Sequence, residues 1–136
     1  MSDELGFEVH LDLPYAEAVE KTVAALKSQG FGVLTRIDVQ STLREKLGEE
    51  FRPFVILGAC NPPLAFRALT TDPVVGLMLP CNITVEADWA GGSLVRIANP
   101  EVMMKVGALE ENQAIVEVAH EAHLKLEKVA EMLIGN

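Results

Sequence analysis

The chain has 136 residues, with 20 acidic and 11 basic side chains and a formal net charge of −9. A surface of this sign repels phosphates and anionic headgroups, so we expect neither nucleic acid nor a membrane as a partner. The length suits a single domain, residues 1–136, that builds its own core without disulfides. Two cysteines and an acidic start, unlike a secretory leader, predict a cytoplasmic protein.

The first third of the chain alternates between strand and helix patterns. Apolar residues at every second position over residues 7–13 predict a strand with one wet face. A helical pattern follows from Pro14 to Gly30. β-Branched residues over 33–39 predict the second strand.

The middle of the chain continues this alternation. Thr42 and Glu45 have the spacing of a capping box, which predicts a short helix over residues 43–47. A nearly continuous apolar run over residues 54–60 predicts a strand that lies centrally or is covered on both faces. A helix over residues 62–69 follows it.

The last part of the chain predicts a hairpin and a long helix. Residues 83–89 and 94–99 are strand-like and are separated by Gly91-Gly92. An apolar stripe from Ile115 to Leu133 predicts about five helical turns across the sheet. The order of elements predicts an α+β fold, a two-layer α/β sandwich whose largely antiparallel sheet has about five strands.

Two short motifs hold both cysteines of the chain. Each pairs a cysteine with an asparagine and has a proline beside it, at the edge of a predicted strand. We therefore place the candidate ligand-binding site at these motifs, and its residues are Cys60, Asn61, Pro62, Pro80, Cys81 and Asn82. No nucleophile–base pair, phosphate loop or known metal spacing accompanies them, so we assign no catalytic residue and no cofactor.

Three motifs also resemble those of a known family. They are Gly30-Phe31-Gly32-Val33-Leu34-Thr35 with Ile37-Asp38-Val39, then Leu57-Gly58-Ala59-Cys60-Asn61-Pro62, then Gly76-Leu77 with Leu79-Pro80-Cys81-Asn82. In this order they resemble the bacterial and archaeal domain-of-unknown-function family numbered 302, over nearly the whole chain. The resemblance implies a two-layer α/β fold with a largely antiparallel sheet, commonly a homodimer, and no settled biochemical activity.

The separation of the two cysteines depends on how their strands pair. If the strand that ends at Cys60 and the strand that begins near Cys81 are antiparallel neighbours, the two sulfurs can share one site. If the strands are parallel, the cysteines lie at opposite ends, about 20 Å apart. The family resemblance favours antiparallel pairing and a shared site.

The Cys-Asn pairs have two interpretations. Cys60 lies just before a predicted helix N-terminus, a position that favours a thiolate, and Asn61 and Asn82 can supply amide donors beside it. Alternatively, both cysteines are small buried apolar residues, Asn61 caps a helix and Asn82 satisfies the backbone of a turn.

Soft side chains suggest a metal ion as a further candidate. Cys60, Cys81 and Met78 would suit copper(I) or zinc better than calcium or magnesium. Met103 and Met104 are candidates to pad an apolar pocket, or to lie in the core or at a dimer contact.

The last helix carries a second, weaker metal candidate. His120, His123 and Glu127 share a stripe beside its apolar face. The stripe lacks the paired-histidine spacing of a metalloprotease, so a wet helix flank is the simpler interpretation.

Three classes of function follow. We favour a small-ligand or metal-ion binding module at the Cys-Asn motifs, because such a module needs only a preformed site with a few polar groups. A thiol-dependent redox protein or enzyme would need a base that the sequence does not place. The third class is a structural protein acting as a homodimer, with the first and fifth strands as edges for pairing between subunits.

Overall fold

The computed structural model of the chain describes residues 5–135. Within them, the strands are Gly6–Leu11 (β1), Gly32–Asp38 (β2), Phe54–Cys60 (β3), Cys81–Ala87 (β4) and Ser93–Ala98 (β5). The α-helices are Tyr15–Ser28 (α1), Val39–Leu47 (α2), Pro62–Thr71 (α3), Pro100–Met103 (α4) and Gln113–Ile134 (α5). Two 3-10 segments, Pro73–Met78 and Gly107–Glu111, precede β4 and α5 respectively.

The strands form one sheet in the order β1-β5-β4-β3-β2, and every neighbouring pair is antiparallel. The predicted α+β fold with a largely antiparallel five-stranded sheet is therefore confirmed. The edges are β1 and β2, so the prediction that the fifth strand is an edge is wrong. Strand β1 pairs with β5, on the side away from β4, and so covers the edge that β5 would otherwise form. In this position the alternating apolar residues of β1 pack against α5.

One face of the sheet packs against α1 and α5. Leu57, Ile83 and Val95 from the sheet are fully buried there together with Leu26 of α1 and Leu126 of α5. Burying a side chain of this size stabilises the fold by about 1.5–3 kcal/mol, so this layer carries the core.

The opposite face, which we call the far face, holds the alternate residues of each strand. On β3 these include Phe54 and Ile56, which are only half-buried. The apolar run of β3 therefore does not mark a strand covered on both faces, and β4 is the central strand.

Helix α2 begins one turn earlier than the sequence predicts. Its N-cap is Asp38, whose carboxylate accepts a hydrogen bond from the Ser41 backbone N–H at 3.0 Å. Thr42 lies inside the helix, where its hydroxyl donates to the Asp38 carbonyl at 2.8 Å. The capping-box interpretation of Thr42 and Glu45 is wrong, because aspartate is an equally good cap that stands earlier in the chain.

None of the helices in the described part of the chain combines the length and the apolar character needed to cross a bilayer.

Candidate functional site

Antiparallel pairing of β3 and β4 brings the two Cys-Asn motifs to one end of the sheet. Ala59 pairs with Cys81 and Gly58 pairs with Asn82. Cys81 therefore lies across from the residue next to Cys60. This pairing confirms the prediction that the two strands are antiparallel neighbours. Both cysteines are free and half-buried.

Both cysteines line one cavity of about 50 Å³, which we call the thiol cavity. Its other walls come from the start of α3, from α5, from the turn before β4 and from the two ends of α4, and include Asn61, Leu64, Pro80, Met104, Ile115 and Ala119. Pockets for drug-sized ligands measure roughly 300–1,000 Å³. The thiol cavity therefore suits an ion or a molecule of very few atoms.

A second, larger cavity of about 160 Å³ adjoins the first. We call it the methionine groove, because Met78, Met103 and Met104 line it. Cys81 and Met104 line both cavities and so stand at their boundary.

Asn61 holds the backbone around Cys60 in place. It is 8% exposed, its side-chain oxygen accepts from the Leu64 N–H at 3.3 Å, and its amide nitrogen donates to the Gln29 carbonyl at 3.4 Å. Pro62 is the first residue of α3, where its missing N–H costs no intrahelical bond. The predicted capping role of Asn61 is confirmed, and its amide is engaged by backbone groups.

Pro80 and Asn82, which lie on either side of Cys81, have different environments at the start of β4. The Leu79–Pro80 peptide bond is cis, and the Pro80 ring packs so closely on Gly58 that a Cβ there would lie 2.8 Å from Pro80 Cγ. Asn82 is the second residue of β4 rather than part of a turn, so that interpretation is wrong. Because strand residues alternate between faces, Asn82 lines the methionine groove and a far-face concavity of about 520 Å³ instead of the thiol cavity.

Residues 7–133 match the family described as "Domain of unknown function DUF302". The chain belongs to the DUF302 family. A crystal structure described as an uncharacterized conserved protein DUF302 from Bacillus stearothermophilus is 29% identical to this DUF302 chain, with a TM-score of 0.83. The similarity covers 95% of this chain and 98% of the other. No match was found among the curated proteins, so the comparisons give family and fold but no activity.

The electrostatics of this DUF302 site keep Cys81 protonated. Burial raises the pKa of the Cys81 thiol to about 11, and the neighbouring Cys60 adds to the rise. A thiol of this kind is a poor nucleophile at neutral pH because the thiolate is the reactive form.

Of the histidines in the stripe on the last helix, His120 is exposed, as the wet-flank interpretation predicts, but His123 is buried. His123 is 8% exposed, packs against the Phe7 ring at 5.3 Å and contacts Asn99 Oδ1 through Nδ1 at 2.9 Å. It belongs to the interior rather than to a wet flank, because α5 lies across β1 at this point. His120 Nδ1 lies 3.1 Å from Glu101 Oε1. Among the described residues, no group of three or more His, Cys, Asp or Glu is placed to hold a metal ion.

The sequence analysis missed the association of Met104 with the cysteines. Met104 follows the short helix α4, which Asn99 caps immediately after β5. Since β5 pairs with β4, the end of β5 lies beside the start of β4, where Cys81 stands. The sequence does contain a signal for this association. The hairpin was predicted, and Asn99-Pro100 directly after it is a typical helix start that would carry Met104 to the same end of the sheet.

Proposed function

We propose that this DUF302 protein is a binding module that holds a small ligand or a metal ion in the thiol cavity. One observation carries the proposal: both cysteines of the chain line a single apolar cavity of about 50 Å³. Natural binding sites combine an apolar enclosure with a few polar or reactive groups, and the two thiols are the groups of that kind here.

The surroundings of the thiols favour binding over nucleophilic catalysis. Among the described residues, those that line the thiol cavity include no histidine, carboxylate or lysine to act as a general base. The pKa of Cys81 is raised to about 11 by burial, which also disfavours a reactive thiolate. The proposal includes a reducing compartment such as the cytoplasm, because such a compartment keeps both thiols free.

Native mass spectrometry of protein purified without chelator tests the proposal. We expect a bound mass on the wild-type chain that is lost in both Cys60→Ser and Cys81→Ser. Asn82→Ala is the matched control, because Asn82 neighbours Cys81 but lies outside the thiol cavity; it should keep the bound mass. A wild-type protein that is empty under these conditions, or a bound mass that survives both cysteine substitutions, would contradict the proposal.

We also propose that two copies of the chain associate through β2. This strand is an edge of the sheet, and Leu34 and Ile37 on it are 68% and 48% exposed. An exposed apolar edge strand is a template for pairing with another chain. Antiparallel pairing of β2 with its own copy gives a symmetric homodimer.

Sedimentation equilibrium tests the homodimer. Leu34→Lys should shift the wild-type dimer to monomer, because lysine on an edge strand opposes pairing. Ile134→Lys is the matched control, since Ile134 is 69% exposed but lies on α5. A wild-type protein that is monomeric, or equal association of the two variants, would argue against pairing through β2.

A further inference from the structure

We infer that the ligand of the thiol cavity is a soft monovalent metal ion with the chemistry of copper(I), and that Met104 completes its coordination. This inference rests on the proposed function, because it identifies the ligand of the same cavity.

The first argument is the distribution of sulfur. The chain has two cysteines and five methionines. Five of these seven side chains line the thiol cavity or the methionine groove: Cys60, Cys81, Met78, Met103 and Met104. Met132 lies elsewhere, on α5, where its sulfur accepts a hydrogen bond from the Ser28 hydroxyl at 3.2 Å. The soft donors of the described chain are therefore concentrated at one place.

The second argument is the type and number of the donors. Thiolate and thioether sulfur favour soft metal ions such as copper(I) and zinc, whereas calcium and magnesium require oxygen ligands. A structural zinc site requires four ligands drawn from Cys, His, Asp and Glu. The thiol cavity offers two such residues, Cys60 and Cys81, and the one amide in its wall, Asn61, is engaged by backbone groups. A soft ion of low coordination number fits this donor set and zinc does not.

The third argument is size and charge. A cavity of about 50 Å³ has room for an ion. Copper(I) bound by both thiolates carries a net charge of −1, against −2 for the two thiolates alone, and both cysteines are only half-buried, so part of this charge stays solvated. Each thiol that binds the ion releases its proton to solvent, and the oxidation state of the metal does not change.

Cys81 and Met104 are the central ligands of the inferred site, because both line the thiol cavity and the methionine groove. Cys60, which lines the thiol cavity but not the methionine groove, supplies the second thiol. Met78 and Met103 line the groove alone and form a thioether-lined approach to the site.

An anaerobic titration of copper(I) against bicinchoninate tests the inference. We expect the wild-type chain to remove one copper(I) per chain from the chelator. Met104→Leu, which keeps the apolar volume, should weaken the affinity about tenfold or more. Met132→Leu is the matched control and should bind as the wild type does. Cys81→Ser should lose binding at the same chelator concentration.

X-ray absorption at the copper edge gives a readout that does not depend on affinity. The loaded wild-type protein should show sulfur as the only ligand type, and Met104→Leu should show fewer sulfur ligands. Nitrogen or oxygen ligands in the wild-type spectrum would overturn the inference, as would equal affinities of wild type and Met104→Leu.

The two proposals fail in different ways. If native mass spectrometry shows a cysteine-dependent bound mass while copper(I) does not bind, or binds equally well to Met104→Leu, the copper inference is wrong and the binding module remains. If neither cysteine substitution changes the bound mass or the copper titration, both proposals are wrong.

Discussion

At the scale of single residues, burial decides the chemistry of Cys81. Its thiol has a pKa raised to about 11, first by desolvation and then by the neighbouring Cys60. At pH 7 only roughly one such thiol in ten thousand is ionised. In a Cys60→Ser background, we expect the rate of alkylation of Cys81 by iodoacetamide to rise about tenfold per pH unit between pH 7 and 9.5.

The corresponding rate for a free cysteine in a short peptide is the control, because it levels off near its ordinary pKa of about 8.5. If the rate for Cys81 levels off in the same range, burial does not suppress its ionisation. In that case nucleophilic chemistry at this residue regains support.

Thr84 provides a second test at this scale. Its hydroxyl is buried and has no hydrogen-bond partner among the described residues. Because an unpaired buried hydroxyl costs free energy, Thr84→Val should raise the free energy of unfolding by about 1 kcal/mol, measured by urea denaturation. The matched control is Thr22→Val, where the lost hydroxyl donates to the Ala18 carbonyl at 2.7 Å; it should lower stability. A loss of stability in both variants would contradict the interpretation of Thr84.

The two Cys-Asn pairs illustrate how far sequence reasoning reaches at this scale. The residues alone left the separation of the two cysteines open, and the family resemblance favoured the shared site at which both cysteines lie. The roles of the asparagines differ because Asn61 lies after a strand and before a helix, whereas Asn82 lies inside a strand. The face that a strand residue occupies depends on the register of the strand, and the two short motifs do not specify that register.

At the scale of elements, the helix cap at Asn61 connects α3 to the end of α1. Its amide accepts from the Leu64 N–H and donates to the Gln29 carbonyl. Asn61→Ala should lower the free energy of unfolding by about 1–2 kcal/mol, because it removes an N-cap and leaves the part-buried Gln29 carbonyl without this donor. Thermal or urea denaturation measures the change.

Asn82→Ala is the control for that experiment, since Asn82 is exposed on β4. Its effect should stay within about 0.5 kcal/mol. Equal losses in the two variants would mean that the two motifs contribute alike, against the geometry of the site.

The type of the longer elements was predictable where the segment has a clear period, whereas α4 and the two 3-10 segments were not predicted. Alternating residues mark β1 and the hairpin, and the apolar stripe marks α5. The start of α2 was not predictable from spacing, because Asp38 and Thr42 are both acceptable caps and only the packing of β2 against β3 selects the earlier one.

At the scale of the whole molecule, a chain of charged residues crosses the far face of the sheet. Glu86 on β4 is 5% exposed and pairs with Arg52, which precedes β3, and with Arg96 on β5. Arg96 Nε also donates to Glu8 Oε2 of β1 at 2.9 Å. The sequence alone does not predict this network, because it does not specify the strand order that brings these four residues together.

This network makes the stability of the whole sheet depend on pH through Glu86. Burial alone raises the pKa of Glu86, but the hydrogen bonds and charges of Arg52 and Arg96 outweigh it and hold that pKa below its ordinary value. The ionised Glu86 carboxylate therefore stabilises the fold fully at pH values above its unfolded-state pKa of about 4.3. This stabilisation is lost as the pH falls through the lower pKa that Glu86 has in the folded state. Glu86→Gln should lower the free energy of unfolding at pH 7 by about 1–3 kcal/mol.

Urea denaturation from pH 7 to pH 2.5 measures this dependence. The difference between wild type and Glu86→Gln should be constant down to about pH 5 and shrink on further acidification, because protonated Glu86 is as neutral as glutamine. Glu8→Gln is the matched control: Glu8 bonds the same Arg96, but its side chain is 58% exposed, so its loss should cost less than about 1 kcal/mol. A difference that grows as the pH falls would mean that Glu86 is stabilised in its protonated form and that the two arginines do not dominate its environment.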